Sequence, residues 1–183
     1  MNSLEDIKVS LDSNTNLTND VKEKLYSLIE IFNKKIRGIN LDKLNKNLKT
    51  VQLGRISVFE RKGSYEYDVV ENRILLSKKA NSNYDIDHIL MKAILEMATS
   101  TGTYTGFSSD DRLRVLNLAY TEILANYIIG NEGDSDLEEE MLVANLLSHI
   151  VGKDTLFNSY FSNNGDIIID AMKDSEVGLL WVA

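Results

Sequence analysis

The stretch ILMKAILEMATS, from Ile89 to Ser100, decides the fold because it is almost wholly apolar and its apolar residues recur at helical spacing. At 100° per residue these side chains cover most of the circumference, which predicts a central helix that packs against neighbours on nearly all sides. We predict that the helix begins near Asp85 and ends at Ser100. One narrow polar stripe remains, through His88, Lys92, Glu96 and Thr99. The stripe is predicted to face a cleft or the surface.

Further helices and strands are predicted before this segment. Residues 1–16 are polar and aperiodic, which predicts a loosely held N-terminal arm. Thr18 is a candidate N-cap for a first helix that ends at Gly38. The runs VQLGRISVFE, SYEYDVV and RILLSK predict three strands, with a hairpin turn at Glu71-Asn72. The chain has no proline, so Gly, Asn, Asp and Ser must make its turns, and we interpret the run NLDKLNKNLK as turn-rich.

The pattern after Ser100 is helical. One helix is predicted from near Ser109 to Gly130, and the spacing of Ser135 and Glu138 resembles a capping box that opens another. The segments DTLFNSYF and GDIIIDAM predict two short helices before GLLWVA. The predicted fold class is therefore α+β, with an N-terminal helix, a small mainly antiparallel sheet and a helical C-terminal half. We predict a single domain over residues 17–183.

The composition limits the class of protein. With 183 residues, of which 43% are hydrophobic and 26% charged, the chain fits one globular domain. It contains no cysteine, which excludes disulfides, thiolate zinc sites and cysteine nucleophiles. The N-terminus MNSLEDIKVS lacks the basic-then-apolar layout of a secretory signal, and no apolar run is long enough to span a membrane. We expect a cytoplasmic protein that does not bind membranes.

The net charge of -8 is unevenly distributed along the chain. Residues 131–183 contain eleven Asp or Glu and two Lys, a net charge of -9, whereas the first 130 residues carry a net charge of +1. An acidic surface repels phosphates, so we expect no direct binding to nucleic acid. A basic protein partner, or mimicry of a nucleic acid, is compatible with this charge.

The runs DHILMKAILEMATS, TYTGF and LNLAYTEILANYI together resemble small bacterial zincin-type metallopeptidase domains. In that family a His-Glu-x-x-His helix, often continuing Met-Ala-Ser, precedes Gly-Phe and then a second helix that opens Leu-Asn-Glu-x-x-Thr-Glu. The tail LLSHIVGKDTLFNSYF is similar to the helical segments that close such domains. The resemblance covers roughly residues 65–170, and it implies a zincin-like fold.

The catalytic residues of that family are absent from the matching positions. Lys92 stands at the first His, Ala93 at the Glu base, Glu96 at the second His and Leu118 at the third ligand, a Glu. Zinc catalysis needs three lone-pair donors, an open position for water and a carboxylate base, so we expect no metal and no cofactor. We predict that the Lys92 ammonium lies near the vacated metal position and pairs with Glu96 one turn on.

Other candidate residues have a structural alternative. His88 with Glu96 and Glu122 would make a displaced metal site, whereas the simpler interpretation of His88 is a surface residue in the first helical turn. The loop residues Asp134, Asp136 and Glu138 resemble a calcium loop, but the loop lacks the sixth-position glycine and the terminal bidentate Glu, so a helix cap beside a solvated acidic loop is favoured. Together with Glu139 and Glu140 they form an acidic face that is a candidate binding surface.

The resemblance implies a catalytically inactive, zincin-like pseudoenzyme that binds a protein or peptide. Tyr65 and Tyr67 alternate onto one face of a strand near the sheet edge, where an extended segment can add a strand. Two alternatives remain open. The first is an acidic inhibitor of the phage or mobile-element type that occupies a basic nucleic-acid-binding site on a host enzyme, and the second is a metallohydrolase with non-standard ligands.

Overall fold

The computed structural model describes residues 3–59, 61–133 and 135–175, and these form eight α-helices and a three-stranded sheet. The helices are α1 Leu4–Ser13, α2 Asn19–Lys35, α3 Asp42–Leu48, α4 Asn83–Thr99, α5 Arg114–Ile129, α6 Glu138–Val151, α7 Lys153–Ser162 and α8 Asp166–Asp174. The strands are β1 Gln52–Ile56, β2 Tyr65–Asp68 and β3 Arg73–Ser77. The fold class is α+β, as predicted. Within the described ranges, no helix has the length and apolar character needed to cross a bilayer.

Helix α4 lies at the centre of the fold, as its apolar composition predicts. The Ser82 side chain caps it by accepting a hydrogen bond from the Asp85 N–H, and every residue from His88 to Thr99 is buried. Helices α2, α3, α5 and α7 and strand β2 all contact it. The burial extends to the polar stripe, so α4 places charged side chains inside the molecule.

The first residues form a helix, so the prediction of a loosely held arm over residues 1–16 is wrong. Ser3 and Asp6 form a capping box at the start of α1, and Ile7 and Leu11 belong to the main hydrophobic core. The Asn14 side chain donates hydrogen bonds to two carbonyl oxygens at the end of α3 and just beyond it. The apolar stripe of Leu4, Ile7 and Leu11 is narrow and is completed by the buried polar residues Ser10 and Asn14, so its helical periodicity is hard to recognise.

Helix α3 replaces the turn-rich interpretation of NLDKLNKNLK. Leu41, Leu44 and Leu48 lie at helical spacing in this run, and all three are buried. Their burial against α1 and α4 stabilises a helix of only seven residues, despite its weakly helix-forming Asn residues.

The sheet is mixed, whereas a mainly antiparallel sheet was predicted. The strand order is β1-β3-β2, with β1 parallel and β2 antiparallel to β3. Strand β3 therefore lies between the other two. After β1 the chain passes to the other side of β3, where β2 begins the β2–β3 hairpin. Alternation of apolar residues identifies the faces of a strand and not its direction, which explains the difference.

The helices of the C-terminal half agree with the prediction, but one cap does not. The Ser135 hydroxyl accepts a hydrogen bond from the Leu137 N–H, and α6 begins at Glu138 without a side-chain cap. The predicted capping box therefore does not form. Gly130 adopts a left-handed conformation and ends α5, as predicted. The segment GLLWVA lies outside the described residues.

Candidate functional site

Charged and polar side chains of α4 meet inside the molecule on the side that faces α5 and β2. His88 is 2% exposed, Lys92 5% and Glu96 6%. Burial of a charged group is costly unless a partner compensates it, so the contacts of these side chains determine what the site can do.

Lys92 pairs with Glu122 of α5 and not with Glu96, so the predicted Lys92–Glu96 pair is wrong. Its Nζ lies 2.9 Å from Glu122 Oε2 and donates a second hydrogen bond of 3.3 Å to the Gly63 carbonyl oxygen. The same ammonium lies 4.7 Å from the centroid of the Tyr65 ring. A partner across two packed helices is favoured because a Lys that precedes a Glu by four residues in one helix is poorly oriented towards it.

Glu96 is held by hydroxyl groups. The Tyr65 hydroxyl donates a hydrogen bond to Oε2, and the Thr105 hydroxyl lies 3.4 Å from Oε1. Burial raises the pKa of Glu96 to about 7, although the Tyr65 hydrogen bond and the charge of Lys92 act in the opposite direction. The carboxyl group is therefore about half ionised near neutral pH.

His88 is buried, so its interpretation as a surface residue is wrong. Among the described residues neither ring nitrogen of His88 has a hydrogen-bond partner, and neither does Oε1 of Glu122. Gly133 packs closely here, since a Cβ at that position would lie 2.9 Å from His88 Nδ1 and 3.2 Å from Glu122 Oε1. Desolvation lowers the pKa of His88, although Glu122 opposes this shift. The part of the chain that the structure describes contains no group of three ligand side chains able to hold a metal ion.

A cleft of about 460 Å³ lies beside this buried cluster. Strand β2 contributes Tyr65, Glu66 and Tyr67 to its lining, α4 contributes Glu96, and α5 contributes Leu118. The cleft thus combines a strand, an ionisable group on its floor and an apolar wall.

The four positions that the sequence resemblance aligns with the zincin ligands and base are divided between the cleft and the interior. Glu96 and Leu118 line the cleft, whereas Lys92 and Ala93 are buried in α4. Only Glu96 of these four carries a lone-pair donor suited to a metal, since leucine and alanine offer none and the Lys92 ammonium donates to Glu122.

Strand β2 has one backbone edge that β3 does not use. The Ser77 N–H donates to the Ser64 carbonyl oxygen, so the backbone of Ser64 faces β3. Because the direction of the backbone groups alternates along an antiparallel strand, the N–H and C=O groups of Glu66 also face β3. The N–H and C=O groups of Tyr65 and Tyr67 face the opposite way. In the sheet formed by the described residues β2 is the last strand, so this edge can receive an added strand.

The predicted acidic residues lie apart from the cleft. Asp136, Glu138 and Glu139 are exposed around the start of α6, and Glu140 is half-buried. Asp134 lies outside the described residues. The exposed carboxylates form a solvated surface beside a helix N-terminus, where negative charge is favourable.

Most of the lining residues were not predicted from the sequence. Among them, Thr105 lies in the loop after α4, Asp111 lies just before α5, and Arg114 is the first residue of α5. The only sequence signal is their position just after the central helix, in the runs TYTGF and SSDDRLR. Comparisons of the chain with protein-family models, curated proteins and solved structures give no match.

Proposed function

We propose that the chain is a zincin-like pseudoenzyme that binds an extended segment of a protein or peptide in the cleft beside β2. The observation that carries this proposal is the strand edge at Tyr65 and Tyr67, which borders the cleft of about 460 Å³. Backbone hydrogen bonds to such an edge supply affinity, and side-chain pockets beside it supply specificity.

The residues at the zincin positions support a binding role over hydrolysis. Ala93 cannot accept a proton, and Leu118 cannot ligate a metal ion. The Lys92 ammonium lies beside Glu122, where it compensates a buried carboxylate instead of activating water. The cleft therefore presents a strand edge without the zincin groups that bind zinc and activate water.

Backbone amide exchange tests the proposed binding mode. The probe is a pool of N-acetylated, C-amidated heptapeptides, with bound peptides recovered on the immobilised protein and identified by mass spectrometry. Addition of recovered peptides is expected to slow exchange at the outward-facing amides of Tyr65 and Tyr67. The Glu66 amide, which faces β3, serves as the internal control and should change little. Protection confined to α6, or no recovered peptide, would contradict the proposal.

The exposed carboxylates at the start of α6 support a second candidate function. Asp136, Glu138 and Glu139 lie on one solvated surface in the acidic part of the chain, which suits an inhibitor of a basic nucleic-acid-binding site. Such a complex would weaken steeply with added salt and would bury α6 instead of β2. Amide exchange in the complex with a captured partner separates these two modes.

A further inference from the structure

We propose that the cleft selects segments that carry a lysine or arginine side chain, whose cationic head pairs with Glu96 on the cleft floor. This inference rests on the proposed binding of an extended segment along β2. It adds the chemical class of the side chain that the cleft accepts.

The position of Glu96 supports this choice. Glu96 lines the cleft although only 6% of its surface is exposed to solvent. A ligand that reaches its carboxyl group therefore makes a contact shielded from water. Its Oε2 accepts the hydrogen bond from Tyr65, whereas the Thr105 hydroxyl lies 3.4 Å from Oε1, which is long for a bond between oxygens. Oε1 can therefore accept a shorter, charge-assisted hydrogen bond from a cation.

The neighbouring charges leave Glu96 without a dedicated cationic partner among the described residues. The Lys92 ammonium donates to Glu122 at 2.9 Å, so its charge is largely compensated by that carboxylate. The lining also contains the carboxylates of Glu66 and Asp111 and the guanidinium of Arg114. With Glu96 ionised, the cleft carries a net negative charge that favours a basic ligand.

The geometry of the strand edge directs a side chain towards Glu96. Tyr65 and Tyr67 share one face of β2, and the Tyr65 hydroxyl contacts Glu96, so this face looks towards α4. In an added strand, a residue opposite Tyr65 on the same face has its Cβ roughly 5 Å away. The methylene stem of a lysine or arginine can then pack along Tyr67 and Leu118 while its head approaches Glu96.

Competition between matched peptide pools tests the inference. The probes are four heptapeptide pools whose central residue is lysine, norleucine, glutamine or glutamate. For the unmodified protein we expect the lysine pool to bind about tenfold more tightly than the norleucine pool. In Glu96→Gln, which keeps the size and an acceptor oxygen for Tyr65, the ratio of the two affinities should fall to about one. Glu30→Gln, an exposed α2 substitution with the same change in net charge, should leave the ratio unchanged.

The pH dependence of that ratio provides a second readout. Burial raises the pKa of Glu96 to about 7, so the preference for lysine should increase from pH 6 to pH 8 as the carboxyl group ionises. The titratable groups that act on or respond to Glu96 are Tyr65 and Tyr67 of β2, Lys92 of its own helix and Tyr160 of α7. The pKa of each of the three tyrosines is raised, so these remain neutral in this range.

The outcomes separate this inference from the proposed function. Binding of all pools with protection of the Tyr65 and Tyr67 amides, but without a lysine preference, would overturn the inference and leave the binding mode standing. Absence of any bound pool would remove both. A lysine preference that persists in Glu96→Gln, or that does not change with pH, would also overturn the assignment of Glu96.

Discussion

At the scale of single residues, Glu96 links stability to pH. Its pKa rises from 4.5 to about 7 on burial, so the folded protein retains a proton that the unfolded chain loses between these values. The stability that this carboxyl group contributes is fully present below pH 4.5 and is lost as the pH rises through 7. At 1.36 kcal/mol per unit, the loss amounts to about 3 kcal/mol.

Glu96→Gln removes this loss because the amide stays neutral. Relative to the unmodified protein, the free energy of unfolding of the variant should rise by about 3 kcal/mol between pH 4.5 and pH 8. Urea denaturation at several pH values measures the difference, and Glu30→Gln is the control on an exposed helix surface. Two parallel stability curves for Glu96→Gln and the unmodified protein would show that Glu96 titrates as a solvated carboxyl.

Lys92 should contribute far more to stability than an exposed lysine. Lys92→Ala leaves the Glu122 carboxylate buried without its cation, which typically costs about 3–5 kcal/mol. Lys34→Ala, on the exposed side of α2, should change the free energy of unfolding by less than about 0.5 kcal/mol. Coincident urea denaturation curves for the two variants would mean that water, and not Lys92, solvates Glu122.

A double substitution separates the contribution of the Lys92–Glu122 ion pair to stability from the contribution of side-chain packing. Lys92→Met combined with Glu122→Leu removes both charges and keeps apolar volume in the interior. The double variant should therefore lose less free energy of unfolding than the sum of the losses in the two single variants. Additive effects in this cycle would indicate that the two side chains do not interact.

At the scale of elements, α1 should behave as part of the core. Leu11→Ala removes a side chain that is only 1% exposed, and such truncations cost about 2–5 kcal/mol. Val9→Ala lies in the same helix at 68% exposure and should cost less than about 0.5 kcal/mol. Urea denaturation measures both. Equal, small effects would restore the interpretation of residues 1–16 as a loose arm.

Periodicity predicts some elements and not others for physical reasons. Helices α2, α4 and α5 present long apolar faces, so their existence follows from the sequence. Helix α1 is short and partly packs through Ser10 and Asn14, whose burial depends on hydrogen-bond partners around α3 that are distant in sequence. The parallel pairing of β1 with β3 likewise depends on the path of the whole chain.

At the scale of the whole molecule, the sequence identifies some of the residues around the cleft but not their contacts. The polar stripe on α4 singles out Lys92 and Glu96, and the resemblance to zincins singles out Leu118. The partner of Lys92 depends on how α5 rotates against α4, and the hydroxyl on Glu96 comes from β2. Both contacts arise from packing between elements, which no local pattern records.

Introduction of the zincin ligands at the corresponding positions tests the resemblance to zincins across the whole molecule. If α4 and α5 keep the zincin arrangement, the triple substitution Lys92→His, Glu96→His and Leu118→Glu brings three donors together, and the variant should bind one equivalent of zinc. The unmodified protein, purified without chelators, should contain far less. Elemental analysis measures both, and thermal denaturation with and without zinc reports whether the metal binds the folded state.

A control variant makes the zinc result specific to the geometry of the site. Lys92→His, Glu96→His and Val115→Glu supplies the same residue types, but Val115 is an exposed α5 residue outside the cleft lining. This variant should bind zinc much more weakly, because two histidines alone leave the tetrahedral site incomplete. If the triple variant with Leu118→Glu is folded and binds zinc no better than the control with Val115→Glu, the side chains at positions 92, 96 and 118 do not converge. The zincin-like arrangement would then be wrong, although the cleft and its strand edge would remain.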